Sequence, residues 1–303
     1  MFLVCGEALF DVFLTPEGAA PAMAPGGSPF NVAIGLARLG RPVAFAASLS
    51  GDALGRRLRR MLEAEGVDLS QARVLDGPTP LALVEVDDAG VPRYGFHGLR
   101  EMEVHPTRPD IPGLDGLHVG SVPIVSAASA GPLLGLMAAV GVDRVTSFDP
   151  NVRLAVEPDA MHWRAQADRF RREARLVKAS EDDMRAMHGA DADVEAVARG
   201  WLGGRTALVV LTKGAAGMVL FGGAGVRVEV AAAASAVVDT VGAGDAVQAA
   251  LIAWLQERGL ATPAGLAGLG AADLDALGRF AAGAAAVACS RRGPDLPRRA
   301  ELS

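Results

Sequence analysis

The chain alternates short apolar runs rich in β-forming residues with longer helical segments. Such alternation is typical of βαβ units, which stack into a parallel sheet covered by helices on both faces. The pattern predicts strands at Phe2–Gly6, Val43–Ser48, Gly116–Gly120, Val145–Phe148, Leu176–Ala179 and Leu208–Thr212. Helices fit between most of them, and residues 30–39 and 54–64 show the 3.6-residue apolar period. We therefore expect an α/β fold of three layers with a mostly parallel central sheet.

Two segments predict antiparallel hairpins instead. The first joins residues 81–86 to 91–96 through a turn that contains Gly90, and the second joins residues 218–221 to 226–230. The first hairpin interrupts the βαβ series early, so we expect it to project from the main sheet as a small β lid. No boundary between independent domains is evident. We expect residues 1–303 to form one domain, with the lid built from segments near 11–24 and 81–100.

Composition narrows the class of protein and its partners. Half of the 303 residues are hydrophobic and 21% are charged, which suits a large apolar core. The net charge is −6 and no basic block is present, so nucleic acid is not an expected partner. Glu7 and Asp11 interrupt the first apolar run, so we do not expect a signal peptide. Pro123 and Pro132 break the longest uncharged stretch, residues 116–142, so we expect no membrane segment there and a cytoplasmic location. Cys5 and Cys289 are expected to be two buried thiols in a reducing compartment.

The strongest chemical signal is the segment DTVGAGD at residues 239–245, followed by a helical pattern over residues 246–258. Small residues at a helix start leave backbone N–H groups uncovered, which is a geometry that binds anions. If this segment served only to bind phosphate, the negative charge of Asp245 would repel the ligand. Asp245 makes sense as the base for a hydroxyl that attacks a phosphoryl group. A GAGD segment on its own would favour a purely structural helix N-terminus. The surrounding features of this sequence favour a catalytic role instead.

A second polar segment, PGGSPFN at residues 25–31, leads into the helical pattern over residues 32–39. Paired glycines let the backbone approach a polar ligand, and Asn31 offers both a donor and an acceptor for sugar hydroxyls. Ser28 is interpreted as the N-cap of that helix, with Pro29 at its first position. Neither a Walker-type phosphate loop nor a dinucleotide fingerprint is present.

These segments resemble the ribokinase-like (phosphofructokinase-B) carbohydrate kinases over nearly the whole chain. GGSPFNVAIGLARLG at residues 26–40 looks like the N-terminal signature of that family, and DTVGAGDA at residues 239–246 looks like its C-terminal one. GEALFD at residues 6–11 and DPNVR at residues 149–153 look like its fructokinase branch. The resemblance implies a ribokinase-like fold and an ATP-dependent sugar kinase.

The same resemblance implies a role for each matching residue. Asp245 would deprotonate the sugar hydroxyl, and the amides of Gly242, Ala243 and Gly244 would hold the transferring phosphoryl group. The implied sugar contacts are Asp11, Gly26, Gly27, Asn31, Phe96 and Arg153. The implied nucleotide contacts are Lys178, Thr212, Lys213, Gly214 and Gly217. The implied magnesium ligands are Glu181 and Asp183, in a segment where the family's NxxE motif is changed to Ser180 and Asp183; the shorter carboxylate would act through water.

The resulting hypothesis is phosphorylation of D-fructose to fructose 6-phosphate, with ATP and Mg²⁺ as cofactors and a monovalent cation such as K⁺ left open. One alternative is a 2-keto-3-deoxygluconate kinase, in which Arg100 or Arg153 pairs with the substrate carboxylate. Another is a catalytically silent sugar or nucleotide sensor on the same fold. The expected partners are a small sugar and ATP, and the expected assembly is a homodimer paired through the lids.

Overall fold

A computed structural model describes residues 1–14, 21–86, 92–99, 104 and 111–302 of the chain. Its strands are β1 Phe2–Cys5, β2 Leu9–Phe13, β3 Ala22–Gly26, β4 Val43–Ala46, β5 Ser48–Ser50, β6 Arg73–Leu75, β7 Leu81–Val86, β8 Pro92–His97, β9 Gly116–Gly120, β10 Val145–Asp149, β11 Leu176–Ser180, β12 Leu208–Thr212, β13 Met218–Phe221 and β14 Arg227–Val230. Its α-helices are α1 Ser28–Arg38, α2 Ala53–Ala64, α3 Ala130–Val140, α4 Ala160–Glu173, α5 Glu181–His188, α6 Val194–Gly200, α7 Ala243–Glu257, α8 Pro263–Ala267 and α9 Ala271–Cys289.

The main sheet has eight strands in the order β14-β13-β12-β11-β10-β9-β1-β4. The strands from β12 to β4 are parallel to one another, and β13 and β14 extend the sheet as antiparallel strands. Parallel strands end at a common edge of the sheet, so the loops that follow β1, β9, β10, β11 and β12 gather there. The predicted mostly parallel sheet is confirmed.

Apolar side chains fill both faces of this sheet. In β1, Phe2 and Val4 pack into the cluster that includes residues of α1, α7 and α9. Leu3 and Cys5 alternate with them and pack into the cluster that includes residues of α3, α4, α5 and α6. The three-layer α/β prediction is therefore confirmed. Along the part of the chain that the structure describes, no helix is both long and apolar enough to cross a bilayer.

A second sheet stands apart from the main one, in the order β3-β2-β7-β8. β2 pairs antiparallel with β3 and parallel with β7, and β7 pairs antiparallel with β8. The predicted hairpin over residues 81–96 is thus confirmed in its two strands. Its turn at residues 87–90 lies outside the described residues, as do residues 15–20 of the other predicted lid segment and Arg100.

Three expectations about local structure were wrong. The strand predicted at residues 43–48 is two strands, because the chain leaves the main sheet after Ala46 and β5 pairs with the distant β6. Helix α7 begins at Ala243 rather than at residue 246, so the glycine-rich segment forms its first turn. Cys5 is buried as expected, but Cys289 is only partly buried because it occupies the last turn of α9.

Candidate active site

Polar side chains gather at the carboxyl edge of the main sheet. Each ends or follows one of the parallel strands: Glu7 after β1, Ser121 after β9, Asp149 in β10, Ser180 in β11 and Thr212 in β12. The predicted glycine-rich segment meets this edge through the first turn of α7, since Lys178 of β11 lies 3.2 Å from the position that a Cβ on Gly244 would take.

The first turn of α7 presents backbone N–H groups. Gly242 precedes the helix in the left-handed region, with a φ of 79°. The N–H of Ala243 donates to the Thr240 carbonyl at 3.2 Å, whereas those of Gly242 and Gly244 have no acceptor among the described residues. Uncovered N–H groups at a helix N-terminus attract anions. Gly242 and Gly244 are therefore free to bind an anionic ligand, while Ala243 is engaged within the chain.

Asp245 lies in the same turn and is held by two donors from α1. The Ser28 hydroxyl donates to its Oδ1 at 2.6 Å, and the Asn31 amide donates to its Oδ2 at 2.8 Å. Burial raises the pKa of the Asp245 carboxyl, while the hydrogen bonds from Ser28 and Asn31 and the charges of Lys178 and Arg153 oppose that rise. A basic carboxylate beside unpaired amides is the arrangement that general-base phosphoryl transfer requires.

The predicted sugar-binding residues come from α1, from the second sheet and from the segment after β10. Asp11 lies in β2 with Gly26 against its carboxylate, and Gly27 is the N-cap of α1. Burial raises the pKa of Asp11 to about 6, and the charge of Arg153 opposes the rise. The charge of Arg153 also opposes the rise in the pKa of Glu7 and of Asp245, and its guanidinium donates to the Val152 carbonyl at 2.9 Å. Phe96 of β8 packs on the small apolar cluster of the second sheet, which includes Leu9.

A buried ion pair lies next to the first turn of α7. The Lys178 ammonium donates to Asp149 Oδ2 at 2.6 Å, and both side chains are almost fully buried. Burial alone would lower the pKa of Lys178, but the carboxylates of Asp149, Asp183 and Asp245 raise it above its ordinary value. Lys178 is therefore a fixed positive charge next to the first turn of α7.

The predicted nucleotide loop follows β12. Thr212 ends the strand, and the chain then turns tightly, with the Lys213 N–H donating to the Gly217 carbonyl at 2.7 Å. Gly214 and Gly217 both adopt positive φ angles. The Lys213 ammonium pairs with Glu195 of α6 at 3.1 Å. The loop thus continues from a strand that pairs with β11, and the side chain of Lys213 is engaged by Glu195 of α6.

The two predicted magnesium ligands have separate partners. Glu181 pairs with Arg185, four residues later on α5, at 2.7 Å. Asp183 completes a capping box with Ser180 and also accepts the N–H of Val152 at 2.6 Å. No group of three or more His, Cys, Asp or Glu side chains suited to a metal ion occurs among the described residues. Any divalent ion here would thus need oxygen ligands from a substrate as well.

Sequence reasoning missed three features of the site. Ser28 is not the cap of α1: Gly27 is, without a side-chain cap, and the Ser28 hydroxyl bonds to Asp245 instead. Glu7 is buried, with one carboxylate oxygen unpartnered. Ser121 and Asn151 adopt positive φ angles of 63° and 42° and hydrogen bond to each other at 3.2 Å. Strain of this kind gathers at functional sites but leaves no trace in sequence. An acidic residue directly after a buried strand could have identified Glu7.

Comparison with known families agrees with this geometry. The model of the pfkB family carbohydrate kinases matches residues 2–300. The chain belongs to this family. The kinase is 34% identical over 278 residues to a fructokinase of Rhizobium leguminosarum bv. trifolii, a match that covers 89% of this chain and 84% of the relative. The predicted family and the predicted sugar-kinase activity are confirmed.

Solved structures match the kinase over almost its full length. A Xylella fastidiosa fructokinase with bound ATP has a TM-score of 0.89 and 25% identity, covering 99% of this chain and 96% of that one. A Vibrio cholerae fructokinase with fructose, ADP and calcium bound has a TM-score of 0.76 and 26% identity, covering 97% and 94%. The ribokinase-like fold implied by the sequence is confirmed.

Proposed function

We propose that this kinase transfers the γ-phosphoryl group of ATP to D-fructose and forms fructose 6-phosphate. The observation that carries the proposal is the placement of Asp245 between two donors of α1 and the free amides of Gly242 and Gly244. The fructokinases of R. leguminosarum, X. fastidiosa and V. cholerae support the choice of sugar.

In the proposed reaction, Asp245 accepts the proton of the sugar hydroxyl at C6 as its oxygen attacks the γ-phosphorus. The bond from the γ-phosphorus to the bridging oxygen breaks, and that oxygen leaves with ADP. Negative charge on the transferring group is offset by the Gly242 and Gly244 amides and by Lys178, which lies next to Gly244. The loop at residues 212–217 would lie along the nucleotide.

Mg²⁺ fits the phosphate end of this site. Three carboxylates, those of Asp149, Asp183 and Asp245, act on the single ammonium of Lys178, so a cation brought by the nucleotide would offset negative charge. Asp149 and Asp183 already accept hydrogen bonds from Lys178, Ser180 and Val152, so they would hold the ion through water. Glu181 pairs with Arg185 and is not among the carboxylates that act on Lys178, which speaks against a part for it. When bound, the ion would neutralise phosphate charge in the transition state.

The charges around the sugar side favour a neutral sugar over a keto acid. The charge of Arg153 already acts on the carboxylates of Glu7, Asp11 and Asp245, and a substrate carboxylate would add a fourth negative charge near one guanidinium. The 2-keto-3-deoxygluconate alternative therefore receives no support from Arg153. Arg100, the other candidate partner for a carboxylate, lies outside the described residues.

The second sheet is proposed as the lid that excludes water during transfer, since it carries Asp11 and Gly26 to the site from β2 and β3.

The outer strands of the second sheet, β3 and β8, have unpaired edges among the described residues, and exposed edges favour pairing with another chain. We propose a homodimer joined there. Light scattering at micromolar concentration should give twice the chain mass, and a monomer mass would contradict the proposal.

The function is tested by measuring ADP release from ATP and Mg²⁺ with fructose, 2-keto-3-deoxygluconate, ribose, glucose and adenosine, in K⁺ and in Na⁺ buffers. The proposal expects turnover with fructose well above that with the other compounds. Preference for the keto acid would replace fructose as the substrate. Absence of turnover, with sugar binding retained in calorimetry, would instead favour the silent sensor.

A further inference from the structure

Two helices that are distant in sequence begin side by side at the active site. Ser28, the first residue of α1, and Asp245, in the first turn of α7, are joined by a 2.6 Å hydrogen bond across 217 positions of the chain. A serine at a helix start ordinarily caps its own helix through its hydroxyl oxygen. Here no side-chain oxygen caps a backbone N–H of α1. The Ser28 hydroxyl instead donates its proton to the Asp245 carboxylate.

We propose that Ser28 is a positioning residue that fixes Oδ1 of Asp245 while Asn31 fixes Oδ2, so that the carboxylate meets the sugar hydroxyl in one orientation. This rests on the proposed role of Asp245 as the base. Ser28 and Asn31 are 8% and 6% exposed, so neither donor can swing into solvent. A carboxylate with only one anchored oxygen would rotate about its last side-chain bond, whose torsional barrier is low.

The backbone keeps the two helices at a fixed separation. A Cβ added to Gly35 of α1 would come within 2.7 Å of the Ala249 Cβ on α7. The two helices are therefore in close contact at positions one to two turns beyond the Ser28–Asp245 hydrogen bond. Ser28 therefore acts from a rigid frame rather than from a loop, as precise placement of a catalytic group requires.

The electrostatics of the site agree with this role. Burial raises the pKa of Asp245, and the hydrogen bond from Ser28 opposes the rise. The charged groups that face this carboxylate are Lys178 and Arg153, which also oppose it, and Glu7, Asp11 and Asp149, which share its negative charge. Removing the Ser28 hydroxyl leaves these charges in place, so the pKa of Asp245 should move further up.

The test compares Ser28→Ala with Ser129→Ala. Ser129 is fully buried and its hydroxyl accepts the Val104 N–H at 2.9 Å, outside the active site. We expect Ser28→Ala to lower kcat about tenfold, the size of a lost hydrogen bond to a charged group. The KM values for fructose and ATP should change less than about twofold, and the acidic limb of the pH–rate profile should move to higher pH. The position of this limb is independent of how much protein is folded. Ser129→Ala should leave kcat and the limb unchanged.

The decisive comparison repeats Ser28→Ala in an Asp245→Asn background. Because Asp245→Asn leaves no base to position, adding Ser28→Ala to it should change the residual rate by less than about twofold. A tenfold loss that persists there, or an unmoved acidic limb, would overturn the positioning role and leave the proposed function intact. Near-normal turnover of Asp245→Asn alone would instead refute the base, and with it both proposals.

Discussion

Replacing Gly242 by alanine tests whether the turn before α7 forms the anion site. Gly242 has a φ of 79°, and alanine in the left-handed region costs about 1–2 kcal/mol. Its Cβ would also lie 3.0 Å from both Cα and Cβ of Pro294. That segment is held by the hydrogen bond from the Gly293 N–H to Asp239 at 2.9 Å, so it cannot yield freely. Overpacking of this kind adds about 1–3 kcal/mol. The expected loss of unfolding free energy is therefore about 2–5 kcal/mol.

Gly66→Ala is the matched control for backbone strain. Gly66 has a φ of 80°, with nothing within 4 Å of its Cβ position, so it should lose only about 1–2 kcal/mol. Urea unfolding followed by tryptophan fluorescence measures both losses, and ADP release measures turnover. We expect Gly242→Ala to lose about 10²-fold in kcat, as when one anion-hole donor is displaced, while Gly66→Ala retains wild-type kcat. Equal stability losses together with normal turnover in Gly242→Ala would refute the reasoning.

Two further predictions concern buried charge. Lys178→Met leaves the Asp149 carboxylate buried without its 2.6 Å partner, which should cost about 3–5 kcal/mol in urea unfolding and lower kcat; an unchanged urea midpoint would contradict this. Burial raises the pKa of Glu7 from 4.5 to about 7 and that of Asp11 from 3.8 to about 6, so the folded chain binds these protons more tightly than the unfolded chain. The stability that Glu7 and Asp11 contribute is complete below their ordinary pKa values, and it is lost as the pH rises through about 6 to 7. The unfolding free energy of the ligand-free kinase should fall between pH 5 and pH 8, and Glu7→Gln should flatten that fall; a rise over this range would count against the assignment.

The layers of the fold could be predicted because apolar periodicity is local. The runs at residues 116–120 and 208–212 became β9 and β12 with the predicted bounds, and both faces of the sheet are covered by helices. The break between β4 and β5 could not be predicted, because it depends on pairing with β6 more than twenty residues later. Register between distant strands has no signal in a single segment.

The candidate active site likewise has features that local sequence predicts and features that depend on tertiary contacts. The segment at residues 239–245 indicated both the anion site and Asp245, since small residues and an acid at a helix start have a direct chemical meaning. The role of Ser28 depends on α1 and α7 lying together, a contact that local sequence cannot contain. Ser28 also satisfies the local rule for an N-cap, and the tertiary contact overrides that rule.

The measurement that tests the account most directly is the turnover of Asp245→Asn with fructose and saturating ATP, together with its ATP affinity by calorimetry. Asparagine keeps the shape of the side chain and can still accept the Ser28 hydrogen bond, but it cannot take a proton at neutral pH. We expect kcat to fall at least about 10²-fold while the Kd for ATP stays within about twofold. Near-normal turnover would show that Asp245 is not the base.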